Sequence, residues 1–159
     1  MGKMFIGSDL SGFQLKEAVV AWLKENNYDF DDIGTLEEDK ALPFFAVAEK
    51  GAQGVQAGTY ERGILVCGTG MGMSIVANKH EGVHAAACET VYTAGKARAI
   101  NDANVLCMGG WLVAPFRGVE MAKVFLETGF TEGLEPWRAE RLKGAREAVR
   151  KIEKESFSK

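Results

Sequence analysis

At 159 residues, with 47% hydrophobic side chains, the chain has the length for one ordinary domain whose core needs neither a metal nor disulfides. A formal net charge of −3, with Lys, Arg, Asp and Glu interspersed, leaves no basic stripe for nucleic-acid phosphates and no basic amphipathic helix for a membrane surface, so the expected partner is a small molecule. No apolar run approaches the roughly 20 residues that span a bilayer, the N-terminus opens on a strand pattern, and three widely spaced cysteines argue against a disulfide framework or zinc spacing; the expected location is the cytoplasm.

Met4 to Ser8 is a short apolar run ending in small residues and reads as a strand. From Gln14 to Glu25, Leu15, Ala18, Val19, Trp22 and Leu23 recur at helical spacing. Tyr28 to Ile33 is the next strand, before Gly34-Thr35, and Pro43 to Val55 is a helix with Phe45, Val47, Ala48 and Ala52 apolar. Arg62 to Cys67 is the clearest strand, because an unbroken Ile-Leu-Val-Cys run bounded by glycine suits a strand covered on both faces of a parallel sheet. A helix begins at Ser74 and runs to Lys79; Val83 to Cys88 is a strand, Val91 to Ile100 a helix, Val105 to Met108 a strand and Val119 to Leu126 a helix. Alternation of strand and helix with short connections predicts an α/β fold of three layers around a mostly parallel, five-stranded sheet. From Pro136 to Lys159, Leu142, Ala145, Val149 and Ile152 fall three and four apart amid charge. This is an amphipathic helix (136–159) added to an α/β core (1–135), with a thin apolar stripe that packs on its own domain or on a second subunit. No repeat or linker divides the chain, so residues 1–159 are expected to form a single domain.

In a parallel α/β sheet, ligands sit beyond the carboxyl ends of the strands. The loops to inspect open at Ser8, Gly34, Cys67, Cys88 and Met108, and polar residues concentrate in the first and third. Cys67-Gly-Thr-Gly-Met-Gly-Met-Ser74 follows the clearest strand and precedes a helix, and its glycines let several N–H groups converge on one concavity that suits an anion. Neither the Gly-Lys-Ser/Thr ending of a nucleotide P-loop nor a spaced Gly-x-Gly-x-x-Gly is present. What sets the loop apart is the cysteine at its head, where N–H groups and a helix N-terminus favour a thiolate. Moving a carbonyl between C1 and C2 of a sugar requires a base for the carbon-bound proton, donors for the enediolate oxygen, and a hydroxyl to carry protons between the oxygens. Cys67 supplies the base, the N–H groups of Gly68, Gly70, Met71, Gly72, Met73 and Ser74 the donors, and Thr69 the hydroxyl. The competing reading is a Cys67 that is merely a buried strand residue, since free cysteine is among the most buried types.

The runs Gly7-Ser-Asp9-x-x-Gly12-Phe-x-Leu-Lys16, Gly34-Thr35, Arg62 to Ser74 continuing to Ala77-Asn-Lys79, and Asn101-Asp-Ala-Asn104 resemble the type B ribose-5-phosphate isomerases. That family also holds the galactose-6-phosphate isomerase subunits, and the resemblance spans residues 4 to 130 in unbroken order. It implies a Rossmann-like domain, a homodimer or a tetramer built as a dimer of dimers, active sites at the subunit interface, and no metal or organic cofactor. The implied activity is that of an aldose–ketose isomerase, an intramolecular oxidoreductase working on a small sugar phosphate by cysteine-based proton transfer through a cis-enediolate. By the same resemblance Asp9 contacts substrate hydroxyls, Cys67 is the base, Thr69 assists proton movement, residues 68–74 form the anion hole, and Asn101 binds a substrate oxygen across the interface. On local pattern alone Asp9 reads as a helix cap or turn residue and Asn101 as a turn former.

The departures from the family pattern bear on the substrate. A histidine usually follows the first-loop aspartate, and here that position is Leu10; a second, which helps open the sugar ring, usually precedes the equivalent of Asn101, and here it is Ile100. An arginine near Gly109-Gly110 is replaced by Trp111, and the family's Tyr-Pro is Leu42-Pro43. The phosphate-gripping Arg-x-x-x-Arg survives in part as Trp137-Arg138-Ala-Glu-Arg141, with Arg138 offset by one. Each charge-assisted hydrogen bond is worth about 1.5–3 kcal/mol, so ribose 5-phosphate, the family's default substrate, suits this set poorly. A tetrose 4-phosphate cannot close a furanose ring through its phosphorylated O4 and needs no ring-opening acid, which fits Ile100. An unphosphorylated sugar fits Leu10, Trp111 and Trp137 together. A sugar phosphate, gripped by Arg138, Arg141 and Arg117, is preferred on family grounds.

His80 and His84 lack a carboxylate or metal-ligand spacing and read as surface or packing residues. Cys88 and Cys107 read as core, and Trp22, Phe44 and Phe45 as core or interface. A non-catalytic partner subunit or sugar-phosphate sensor of the same fold is the alternative to an enzyme, and Cys67, Thr69 and Asn101 argue against it because a binder has no use for a base.

Overall fold

The structure, a computed structural model, describes residues 2–158; Met1 and Lys159, the limits of the expected domain and of its last helix, lie outside the described residues. Strands β1 (Met4–Ser8), β2 (Phe30–Asp32), β3 (Arg62–Cys67), β4 (Ala85–Ala87) and β5 (Val105–Gly109) form one sheet in the order β2-β1-β3-β5-β4, with every neighbouring pair parallel. The three inner strands are buried along their length apart from Arg62, which is why their sequences are continuous apolar runs. The edge strands β2 and β4 are three residues long, shorter than the Tyr28–Ile33 and Val83–Cys88 runs, because each stays in register with a single neighbour for only three pairs.

Helices α1 (Phe13–Glu25), α2 (Phe44–Gln56), α3 (Met71–Ala77), α4 (Val91–Asn101) and α5 (Pro115–Glu127) take sides dictated by the strand order. A right-handed crossover from β1 to β2 places α1 on one face; the crossovers β2 to β3 and β3 to β4 step the other way and place α2 and α3 opposite; the return from β4 to β5 brings α4 back beside α1. The packing agrees. Leu15, Val19, Leu23, Ala94, Met121 and Phe125 cover Met4, Ile6, Ile64, Val66, Leu106 and Met108 on one face. Val47, Ala48, Ala52, Met73 and Ala77 cover Phe5, Leu65 and Cys107 on the other. The fold is the expected three-layer, Rossmann-like α/β arrangement with a parallel five-stranded sheet.

Two helices begin before their apolar periodicity does. α3 starts at Met71 because Gly70 adopts φ +77°, a left-handed cap open to glycine. α5 starts at Pro115, a first-turn position where the absent N–H has no intrahelical use.

The C-terminal amphipathic helix, α6 (Pro136–Phe157), buries none of its residues fully. Arg146 pairs with Asp102 at 3.1 Å and lies over the Phe130 ring, while Glu153 accepts the Gly82 N–H at 2.8 Å. Leu142, Ala145 and Val149 line a groove of about 390 Å³ with Ala85, Ala86, Ile100 and Ala103, and Ile152 stays exposed. Among the described residues no helix is long and apolar enough to cross a membrane.

Candidate active site

Between β1 and β3 the sheet reverses its winding, and such a switch point leaves a crevice outside the carboxyl ends of the two strands. Those ends are Ser8-Asp9 and Cys67-Gly68. A cleft of about 200 Å³ opens there, lined by Asp9, Ser11, Phe44, Cys67, Gly68, Thr69, Gly72 and Trp111.

Cys67 closes β3 with 5% of its surface exposed, and its Sγ accepts the Gly70 N–H at 3.1 Å. The left-handed Gly70 turns the chain back so that this N–H meets the sulfur and α3 starts at the next residue. Thr69 Oγ1 lies 3.4 Å from the Met71 N–H, on the cleft wall. The donor arc expected from Gly68 to Ser74 is narrower in the structure. The Gly70 N–H is committed to Cys67, the Ser74 N–H donates to the Gly70 carbonyl at 3.1 Å, and the Ser74 hydroxyl lies 3.2 Å from the Ala85 carbonyl. Met73 buries its side chain in the core under α3, and Met71 turns its side chain outward. As the second and third residues of α3, Gly72 and Met73 retain N–H groups without intrahelical acceptors.

Asp9 combines its two readings. Its Oδ1 accepts the Gly12 N–H at 3.0 Å, forming the turn before α1, and the residue still faces the cleft. Burial pushes its carboxyl above the usual carboxylate range, against the N–H groups of Gly12 and Ser11 that favour the ionised form. Gly12 sets the approach of the loop, since a Cβ there would come within 2.3 Å of the Val66 carbonyl oxygen. Lys16, one turn along α1, is fully buried; its Nζ reaches Asp32 at 2.6 Å, the Thr35 carbonyl at 2.7 Å and Glu17 at 2.8 Å. That cation ties the β1–α1 loop to the end of β2.

Beyond β5 the chain is stitched to the cysteine loop, with Gly110 N–H donating to the Cys67 carbonyl at 2.7 Å and Trp111 N–H to the Gly68 carbonyl at 3.0 Å. The Trp111 indole lies over Gly68, where a Cβ would meet its six-membered ring at 2.8 Å, and the Phe44 ring lies over Gly72, where a Cβ would meet it at 2.9 Å. Phe44 therefore walls the cleft instead of joining the core, and Ser11 lines it without any motif to mark it. Apolar periodicity records that Phe44 is hydrophobic and not what it faces; the signal was Gly72, a glycine in the first turn of a helix, which leaves room for a ring.

Asn101, Arg138 and Arg141 do not line this cleft. α4 starts at the carboxyl edge of the sheet and runs back, so Asn101, its last residue, lies at the amino edge and lines the groove beneath α6. Arg138 and Arg141 are exposed in the first turns of α6 and make no ion pair among the described residues. His84 stands 3.4 Å from Glu153, beside the attachment of α6 and away from the cleft. Among the described residues no group of three or more His, Cys, Asp or Glu is placed to hold a metal ion.

A parallel α/β sheet with a cleft at its switch point, headed by a cysteine that accepts the Gly70 N–H, defines the class: a fold of this kind with a small-molecule site beyond its carboxyl edge. The family model described as ribose/galactose isomerase matches residues 4–143, and the chain belongs to that family and is an aldose–ketose isomerase. A 4-deoxy-4-sulfo-D-erythrose isomerase from Clostridium sp. (strain MSTE9) is 57% identical over 157 residues, 99% of each chain. Ribose-5-P isomerase B of Listeria innocua is 41% identical over 131 residues, covering 82% of this chain and 88% of that one. Among solved structures, ribose-5-phosphate isomerase B from Mycoplasma genitalium with bound ribulose 5-phosphate matches with a TM-score of 0.85 at 31% identity, covering 96% of this chain and 97% of that one.

Proposed function

We propose that the protein interconverts 4-deoxy-4-sulfo-D-erythrose and 4-deoxy-4-sulfo-D-erythrulose, with Cys67 as the base. The observation that carries the substrate is the 57% identity to the sulfo-erythrose isomerase sustained over 99% of both chains. The departures from the phosphosugar pattern fit the same substrate. Its C4 bears sulfur and no oxygen, so no furanose can close and no ring-opening acid is required, in keeping with Ile100. A sulfonate carries one negative charge where a phosphate monoester near neutral pH carries about 1.5 to 2, so it needs fewer cations, in keeping with Leu10 and Trp111 where the family pattern has a histidine and an arginine, and with the offset of Arg138.

In this mechanism Cys67 Sγ removes the proton from C2, and the electron pair forms the C1=C2 bond of a cis-enediolate as the aldehyde oxygen becomes the enediolate oxygen. Loop N–H groups, with Gly72 and Met73 still free of intrahelical acceptors, stabilise that charge. Thr69 carries a proton from O2 to O1, and Cys67 returns its proton to C1, leaving the ketone at C2. The Asp9 carboxylate orients the substrate hydroxyls. Asn101, Arg138 and Arg141 act on the cleft of a second copy, Asn101 on a substrate oxygen and the arginines on the sulfonate. The protein accordingly works as a homodimer, alone or paired into a tetramer, of single-domain chains in the cytoplasm, without metal or organic cofactor. The second reading is a tetrose 4-phosphate, favoured by the same Ile100 and by two exposed, unpaired arginines.

The test is a comparison of kcat/KM for 4-deoxy-4-sulfo-D-erythrose, D-erythrose 4-phosphate and D-ribose 5-phosphate. A preference for the sulfonate of at least about tenfold, or 1.4 kcal/mol, supports the assignment; an equal or better rate with erythrose 4-phosphate transfers it to the phosphate.

A further inference from the structure

The Cys67 cleft has aromatic rings on two sides, each seated on a glycine. Trp111 is the unusual one: the residue is 73% exposed, yet its ring lies on the cleft wall and its backbone is anchored to the cysteine loop. The ring rests on Gly68 because no Cβ intervenes, its own N–H is bound to the Gly68 carbonyl at 3.0 Å, and Gly110 is bound to the Cys67 carbonyl at 2.7 Å. Behind it Gly109 packs so closely that a Cβ there would lie 2.9 Å from the Gly68 oxygen, so the loop cannot retreat.

Trp111, with Ser11, also lines two neighbouring cavities. One is the cleft of about 200 Å³ that holds Cys67 and Asp9; the other, of about 460 Å³, lies beyond the indole and is lined by Leu10, Gln14, Val113 and Pro115 among others. The ring is the partition between them. A sugar whose C1 and C2 lie at Cys67 and whose tail runs toward the indole meets the ring before it reaches the larger space. Removal of the ring would merge the two spaces and leave the backbone around Cys67 in place.

We propose that Trp111 determines the chain length of the substrate, admitting a four-carbon sugar and excluding a five-carbon one. This deepens the preceding reading and rests on its placement of the sugar at Cys67.

Binding of two acyclic acids reads this directly: 4-deoxy-4-sulfo-D-erythronate and 5-deoxy-5-sulfo-D-ribonate, measured by calorimetry with the full-length protein. They share the terminal sulfonate and need no ring opening, so their Kd ratio isolates chain length, and neither turns over. The wild type should prefer the four-carbon acid at least tenfold. Trp111→Ala should bring the ratio within threefold of unity by gaining affinity for the five-carbon acid, and Trp111→Phe should fall between. The exposed indole makes both variants foldable, and an unchanged far-UV circular dichroism spectrum and melting temperature serve as the check that the fold is intact. Two binding acids with a ratio unmoved by either substitution, or a wild type that does not discriminate, would overturn the role of Trp111 while leaving the isomerase assignment standing. If neither acid bound any of the three proteins, the sugar site at Cys67 would fail and this inference with it.

Discussion

Asp9 shows how a single side chain trades stability for a place in the cleft. Burial raises its carboxyl above the ordinary range in the folded state, so the native protein holds that proton to higher pH than the unfolded chain does. The stabilisation from the protonated group is present below the unfolded value and is lost as pH rises through the folded one. At neutral pH the ionised group is a burden that an amide lacks. Asp9→Asn should therefore raise the melting temperature at neutral pH, converge on wild type in acid, and lower kcat/KM at least about tenfold, roughly one strong hydrogen bond to substrate; calorimetry against pH and initial rates check both halves. At this scale the sequence disclosed that Cys67 and Thr69 lie in the cleft, because a cysteine heading a glycine-rich strand-to-helix turn is a local pattern, whereas family resemblance supplied Asp9, which local pattern alone read as a cap or turn residue. It did not disclose Ser11 or Phe44, whose presence in the cleft depends on how two loops distant in sequence are packed together.

The elements hold the cleft through a few tight approaches. Gly12 lets α1 start against β3, and Gly12→Ala, with its Cβ 2.3 Å from the Val66 oxygen, should cost about 1–3 kcal/mol by overpacking and displace Asp9 as well. Lys16→Met leaves Asp32 and the Thr35 carbonyl without their buried cation and should cost about 3 kcal/mol, the upper range for a hydrogen bond to a charged group. Urea unfolding of both variants gives the numbers; a midpoint unchanged for Lys16→Met would remove the claim that this ion cluster braces the switch point. Strand and helix order were legible along the whole chain because periodicity survives even in short segments. The starts of α3 and α5 were not, since a left-handed Gly70 and a first-turn Pro115 initiate helices through backbone geometry that hydrophobic spacing does not record.

For the whole molecule the decisive geometry is that α4 ends, and α6 begins, away from the Cys67 cleft of the same chain. The sequence placed Asn101, Arg138 and Arg141 in the site through family resemblance alone, and a single folded chain leaves them outside it. If a second copy supplies them, inactive Cys67→Ala and Asn101→Ala proteins should complement when unfolded and refolded together. Half of the dimers would then be mixed, each with one intact site, giving about a quarter of wild-type activity; recovery of none would assign Asn101 to the site of its own chain, and a fully active Asn101→Ala would place it outside the catalytic site. The central claim, that Cys67 moves a carbon-bound proton in the substrate, is tested most directly by solvent-deuterium incorporation at C1 or C2, followed by NMR with 4-deoxy-4-sulfo-D-erythrose and its phosphate and pentose counterparts. Deuterium should enter one class of sugar with the wild type and none with Cys67→Ala, whereas incorporation at an undiminished rate in Cys67→Ala would contradict the account and assign the base to another group.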